Sequence, residues 1–126
     1  MNFKAWIAAV CMVFAAGTAL AGFKTAQQVV IGSGFANGDL GYVHNTPDAT
    51  QYIGCYLYAY PNQLYGGCYA RDLGGNYASC YTTNVNMMNV MASLKSDGYV
   101  LFYWDTSGSC TFVEQVTGSY EAPKTP

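Results

Sequence analysis

The sequence predicts a β-rich α+β domain: an antiparallel meander or small barrel, with one short amphipathic helix and two disulfides. Three observations lead there. First, a short phrase occurs three times, as Gly54-Cys55-Tyr56, Gly67-Cys68-Tyr69 and Ser79-Cys80-Tyr81. Around the first copy, Ile53, Cys55, Leu57 and Ala59 fall on one parity and Tyr52, Tyr56, Tyr58 and Tyr60 on the other. A strand points successive side chains to opposite faces, so the run has an aliphatic and sulfur face and a tyrosine face. The other copies repeat this, with Ala70 beside Cys68 and with Ala78 and Thr82 beside Cys80. Three successive antiparallel strands with cysteines inside and tyrosines outside are expected. Second, the cysteines downstream of the leader are even in number. Third, Met87, Val90, Met91 and Leu94 repeat at i, i+3, i+4 and i+7, the spacing of one helix face.

The first 21 residues read as a cleaved secretion signal. Lys4 supplies the positive start, residues 5–16 are apolar, and Ala19-Leu20-Ala21 is a small-x-small cleavage site. The apolar run is short for a bilayer span of about 20 residues. The mature chain is expected to begin at Gly22 and to form one domain over 22–126, secreted or periplasmic. Four cysteines then remain: Cys55, Cys68, Cys80 and Cys110. An even count in a small exported chain points to two disulfides, and three pairings stay open. Zinc ligands usually come in short C-x-x-C spacings; here the gaps are long and each cysteine sits mid-strand, so no metal and no cofactor are expected.

The whole chain carries five Lys and Arg against seven Asp and Glu. So few positive charges, none clustered, disfavour nucleic acid, which needs several phosphate contacts. They equally disfavour docking on anionic lipid, so no membrane partner is expected once the signal is gone.

In chain order, 22–38 reads as a short first strand or extended leader with a flexible Gly32-Ser33-Gly34. Asn37-Gly38-Asp39 reads as a turn, 40–44 as a strand, and Asn45-Thr46-Pro47-Asp48 as a second turn. Strands follow over 51–60, 64–71 and 77–82, linked at Pro61-Asn62 and at Gly74-Gly75. The helix is expected over 86–96. Thr83, Asn84 or Asn86 can cap it, Lys95 suits its negative end, and Gly98 its exit. A last hairpin, 99–105 and 109–117, turns at Thr106-Ser107-Gly108. The tail from Gly118, with Pro123 and Pro126, reads as a loose end. The expected core is Ile53, Cys55, Leu57, Cys68, Cys80, Met87, Met91, Leu94, Val100, Phe102, Cys110 and Phe112.

No catalytic signature emerges. A nucleophile needs an adjacent base, and the one histidine, His44, stands near a turn. Glycoside hydrolysis needs two flanking carboxyls, yet Asp48, Asp72, Asp97 and Asp105 fall in turns or at strand ends, where aspartate has structural uses. Gly32-Ser33-Gly34 lacks the lysine and helix of a phosphate loop, and no calcium-loop spacing appears. The chain is therefore expected not to be an enzyme. What stands out is tyrosine, with twelve in the chain. A flat apolar ring with a hydroxyl tip suits wet recognition surfaces. The candidate surface is Tyr52, Tyr56, Tyr58, Tyr65, Tyr69, Arg71 and Tyr81, for a glycan or a protein partner. Tyrosine also has high β-propensity and pairs across strands, so the same rings could merely cover a sheet, or be covered by a neighbouring subunit in a homo-oligomer. A self-assembling structural or adhesive subunit is the alternative function, and a small hydrolase or inhibitor has least support.

The order of elements adds a resemblance. Strands, one helix and a two-strand return resemble the order of the OB fold, a small binding barrel. A secreted, disulfide-bonded version resembles the pentameric, glycan-binding B subunits of bacterial toxins, those of subtilase cytotoxin in particular. The matching stretches are Gln51-Tyr52-Ile53-Gly54-Cys55, the second cysteine strand, the helix and the aromatic stretch 98–104. They cover about half the chain and carry no sugar-binding residue over by position. The stretches 72–80 and 96–105 also resemble those of small exported bacterial proteins. The resemblance implies glycan binding.

Overall fold

The computed structural model describes residues 24–126; the expected secretion signal lies outside them. The elements are β1 (Val30–Gly32), β2 (Phe35–Asp39), α1 (Leu40–Asn45), β3 (Tyr52–Tyr60), β4 (Gln63–Arg71), β5 (Tyr77–Thr82), α2 (Val85–Ser93), β6 (Tyr99–Trp104) and β7 (Cys110–Val116). They form two antiparallel sheets, one ordered β1-β2-β6-β7 and one ordered β3-β4-β5. The second is the expected meander of the three cysteine phrases. Both helices add to the β-rich whole, one more than the sequence predicted.

The two sheets share one core. Ile53, Cys68, Ala70 and Cys80 of the meander meet Ala36, Val100, Phe102, Cys110 and Val113 of the other sheet, with Met91 from α2 and Val43 from α1. Phe102 and Val100 are fully buried. Cys55, Leu57, Met87 and Leu94, expected inside, lie half-buried at its border. Met88 is buried where only Met87 and Met91 were expected.

The two disulfides have different tasks. Cys55–Cys68 joins directly opposed residues of β3 and β4, with Cα atoms 4.0 Å apart. Cys80–Cys110 ties the meander to β7 across the sheet boundary, with Cα atoms 4.9 Å apart. Cys68 also lies opposite Cys80 in the register of β4 and β5. Three sulfurs thus form a row across the meander, and the third reaches over to the other sheet.

Several local readings change. Of the two readings of 22–38, the short first strand holds: Gly32 ends β1 and Ser33-Gly34 is the tight turn to β2; Gly34 takes φ of 78°, open to a residue without Cβ. Asn37-Gly38-Asp39 is not a turn but lies in β2, paired with Leu101, Val100 and Tyr99. Residues 40–44 are helical rather than extended, because Leu40 and Val43 turn to the core at helical spacing. Gly41 gives room to the tail there, since a Cβ would strike the Ala122 carbonyl. Helix α2 begins and ends earlier than expected. Asn84 is its cap, accepting from the amides of Asn86 and Met87 at 3.0 and 3.1 Å. Lys95 and Gly98 fall beyond its last turn.

Phe112 is not in the core. It shares parity with buried Cys110, but the β6–β7 register shifts between Tyr103 and Trp104, so Trp104 faces Cys110 and Tyr103 faces Phe112. The extra residue, Thr111, turns the rest of β7 over to the other face. Val113 is buried instead, and Phe112 is 39% exposed.

The tail is not loose. The Thr25 amide donates to the Tyr120 carbonyl at 2.9 Å. The Asn45 carboxamide donates to the Pro123 carbonyl and accepts from the Thr125 amide, both at 2.8 Å. The Lys124 amide donates to the Asp97 carboxylate at 3.0 Å.

Candidate functional site

The tyrosine face follows from how the repeated phrase pairs with itself. When Gly-Cys-Tyr lies antiparallel to Gly-Cys-Tyr with the cysteines opposed, each glycine must oppose the other copy's tyrosine. The register gives that arrangement: Gly54 opposite Tyr69, Cys55 opposite Cys68, Tyr56 opposite Gly67. Each ring lies over the glycine facing it. A Cβ on Gly54 would stand 2.9 Å from the Tyr69 hydroxyl, and one on Gly67 would collide with the Tyr56 hydroxyl. The third phrase repeats the pairing one strand on, placing Tyr69 opposite Ser79 and Gly67 opposite Tyr81. The glycines thus leave room for the hydroxyl ends of the Tyr69 and Tyr56 rings to reach across the neighbouring strand. Aromatic cover of a strand glycine also stabilises a sheet that would otherwise lack packing there.

The rings form one connected array. Tyr52 meets Tyr69 at 5.9 Å between centroids, Tyr69 meets Tyr56 at 6.3 Å, and Tyr56 meets Tyr58 at 6.0 Å. Tyr58 lies nearly parallel to Tyr65 at 5.1 Å, and Tyr65 reaches Tyr81 at 5.9 Å. All six tyrosines singled out from the sequence are therefore brought together. Arg71 stands at the corner, between Tyr52 and Tyr77 in register. Its guanidinium is turned toward Gly75 in the β4–β5 turn.

Two further tyrosines belong to the face. Tyr60 packs edge-on against Tyr58 and Tyr65, and Tyr77 shares the parity of Ser79 and Tyr81. They are 64% and 60% exposed, more than any other tyrosine of the meander. Parity alone could have found both. Burial against its neighbours, then Tyr58 and Tyr77, pushes the Tyr56 hydroxyl above the usual phenol range. Burial first, then Tyr65, Tyr58 and Tyr56, does the same at Tyr81. Both hydroxyls are therefore neutral near pH 7, able to donate and to accept.

The face continues into a cleft that the sequence did not reveal. The Tyr81 amide donates to the Gly108 carbonyl at 3.1 Å, so the β6–β7 turn closes on the edge of β5. Tyr77, Ser79, Trp104, Asp105 and Thr106 line the hollow between them, about 430 Å³. The Asp105 carboxylate accepts from the Ser107 and Ser109 amides at 2.9 and 3.1 Å, fixing the rim. The Ser107 hydroxyl, which donates to the same oxygen at 2.6 Å, and then the Ser109 amide hold its carboxyl below the usual range. A second, smaller aromatic patch lies on the four-stranded sheet. There Tyr103 stacks on Phe112 at 5.1 Å and meets Phe35 edge-on.

The four cysteines are taken up by the disulfides, away from the rings. His44 holds the tail through the Thr125 carbonyl at 3.1 Å. Among the described residues, no three His, Cys, Asp or Glu side chains are grouped to hold a metal ion. Nor is any described helix long and apolar enough to cross a membrane. Comparison with protein-family models, curated proteins and solved structures finds no match.

Proposed function

We propose that the chain is an exported recognition module that binds glycan across the tyrosine face of the meander, without catalysing a reaction. The observation that carries this is the pairing of rings with glycines. Rings that reach across Gly54 and Gly67 and stack in one array offer exposed apolar surface to sugar C–H groups, and neutral hydroxyls at their tips exchange hydrogen bonds with sugar hydroxyls. The open hollow beside Trp104 gives the platform an end against which a terminal unit can rest. The two disulfides suit an oxidising, exported destination. β3, an edge strand nine residues long, favours a second reading, self-assembly by strand addition. Light scattering over a range of concentrations separates the two, because a monomer that binds glycan leaves the edge unused.

The test is a glycan array with the mature chain and its Tyr56→Ser, Tyr69→Ser, Tyr81→Ser triple variant. With about 1 kcal/mol from each ring, the triple variant should bind roughly a hundredfold more weakly. Because Tyr56 and Tyr69 also cover glycines, a Tyr58→Ser, Tyr65→Ser variant serves as the second arm; it should lose most of the affinity while remaining folded, with melting lowered by the loss of the Tyr58–Tyr65 pair. Equal binding by wild type and both variants would refute the proposal, as would an array with no hit for the wild type.

A further inference from the structure

At the other end of the molecule lies a pocket of about 380 Å³, lined by Lys24, Thr25, Gln27, Asp39, Tyr99, Val116, Tyr120 and Glu121. Its floor is Asp39, which is fully buried. One Asp39 oxygen accepts from the Gln27 amide at 2.7 Å; the other, Oδ1, is buried and finds no donor. Glu121 lies within hydrogen-bond reach of Asp39 and accepts from the Thr25 hydroxyl at 2.9 Å. A fully buried carboxylate beside a half-buried one needs a proton or a cation between them.

We propose that this pocket is a binding site for one primary ammonium group, held by Asp39 and Glu121 with the Tyr99 ring along its carbon side. An ammonium offers three donors to clustered oxygens, and an aromatic wall favours the cation and its attached methylene. Two carboxylates are few for calcium, which takes six to eight oxygens. The ammonium has three possible sources. One is a soluble amine, another is the Lys24 side chain that lines the pocket, and the third is the chain's own terminus, in the arm that rests on signal cleavage after Ala21. A new α-ammonium at Gly22 would stand two residues before Lys24, with a reach of about 7 Å.

The sign of the pH effect follows from Glu121. Burial, then hydrogen bonding to Asp39, pushes its carboxyl up from 4.5 to about 7, against the lowering effect of Thr25. The folded state therefore holds the proton more tightly than the unfolded chain. The stability this proton provides is complete below about 4.5 and lost as pH rises through about 7. Lys24, Tyr99 and Tyr120 are the other titratable groups facing the pair, with Glu114 acting on Tyr99. A bound ammonium replaces the proton and removes the loss on the alkaline side.

The experiment compares melting of the chain beginning at Gly22, with a free α-amine or with an acetyl group on it, at about pH 5 and about pH 7.5, above the Glu121 range and not above that of the α-amine. Ethylammonium chloride is the probe, against equal sodium chloride. If the chain supplies the ammonium, the acetylated form alone should lose roughly 5 °C more on going alkaline, and ethylammonium should restore it. With a soluble source, both forms should lose stability and both should recover. Glu121→Gln should abolish the alkaline loss and the ethylammonium response, and Asp39→Asn the response. Lys24→Gln in the free-amine chain tests the third nearby amine; a loss restored by ethylammonium assigns Lys24 as the source. The site is overturned if neither form nor the Lys24→Gln variant responds to ethylammonium beyond sodium and acetylation changes nothing, or if Glu121→Gln responds like wild type. Intact mass of the exported protein is independent of all this. A start other than Gly22 removes the terminal source and leaves the soluble-amine arm intact.

Discussion

Replacing Cys80 and Cys110 together by alanine will lower stability by about 3–4 kcal/mol, measured by urea unfolding. The two cysteines are 30 residues apart, and closing a loop of that length in the unfolded chain costs entropy that the disulfide removes in advance. The bond also joins the two sheets. Without it, the meander is held to β6 and β7 by side-chain packing and the short contact of Tyr81 with the β6–β7 turn. Replacing Cys55 and Cys68 will cost less, about 2–3 kcal/mol. That loop spans 13 residues, and the strand pairing that brings the sulfurs together also persists without the bond. The reverse order of the two losses would mean that the sheets are not coupled where Cys110 meets Cys80.

Phe102→Ala will cost about 3–5 kcal/mol, whereas Phe112→Ala will cost under about 1 kcal/mol. The two positions look alike in the sequence, as aromatic residues of one hairpin. Phe102 is fully buried, flanked by Ala36 and Val113 in register and by Trp104 at 5.6 Å. Its removal leaves a cavity between the sheets that neighbours fill only in part. Phe112, 39% exposed, loses mainly its contact with Tyr103. Denaturation midpoints of the two variants therefore report the bulge at Thr111. Equal losses would place Phe112 inside and return the hairpin to unbroken alternation.

The sulfur and tyrosine faces were legible because a period of two runs unbroken through three strands. Cys55, Cys68, Cys80 and Cys110 could be counted as two disulfides, but the pairing depended on register, which no single strand contains. The laying of Tyr56 over Gly67 and of Tyr69 over Gly54 was hidden for the same reason. Phe112 went astray because one inserted residue reverses parity without a mark in composition. Residues 40–44 form a helix whose apolar positions are too few to outweigh a β-like run. The tail looked free because its partners, Thr25, Asn45 and Asp97, are polar and distant in sequence. Asp39 and Glu121 stayed unconnected on that account too, and Trp104 reached the cleft only through the closing of the β6–β7 turn onto β5.

The most direct test of the recognition face tracks tyrosine ring resonances of selectively labelled protein as a bound glycan is titrated. Shifts are expected at Tyr52, Tyr56, Tyr58, Tyr65, Tyr69 and Tyr81, with Tyr42, Tyr99 and Tyr120 unchanged. Shifts confined to those last three, or to Tyr103 beside Phe112, would contradict a recognition face on the meander.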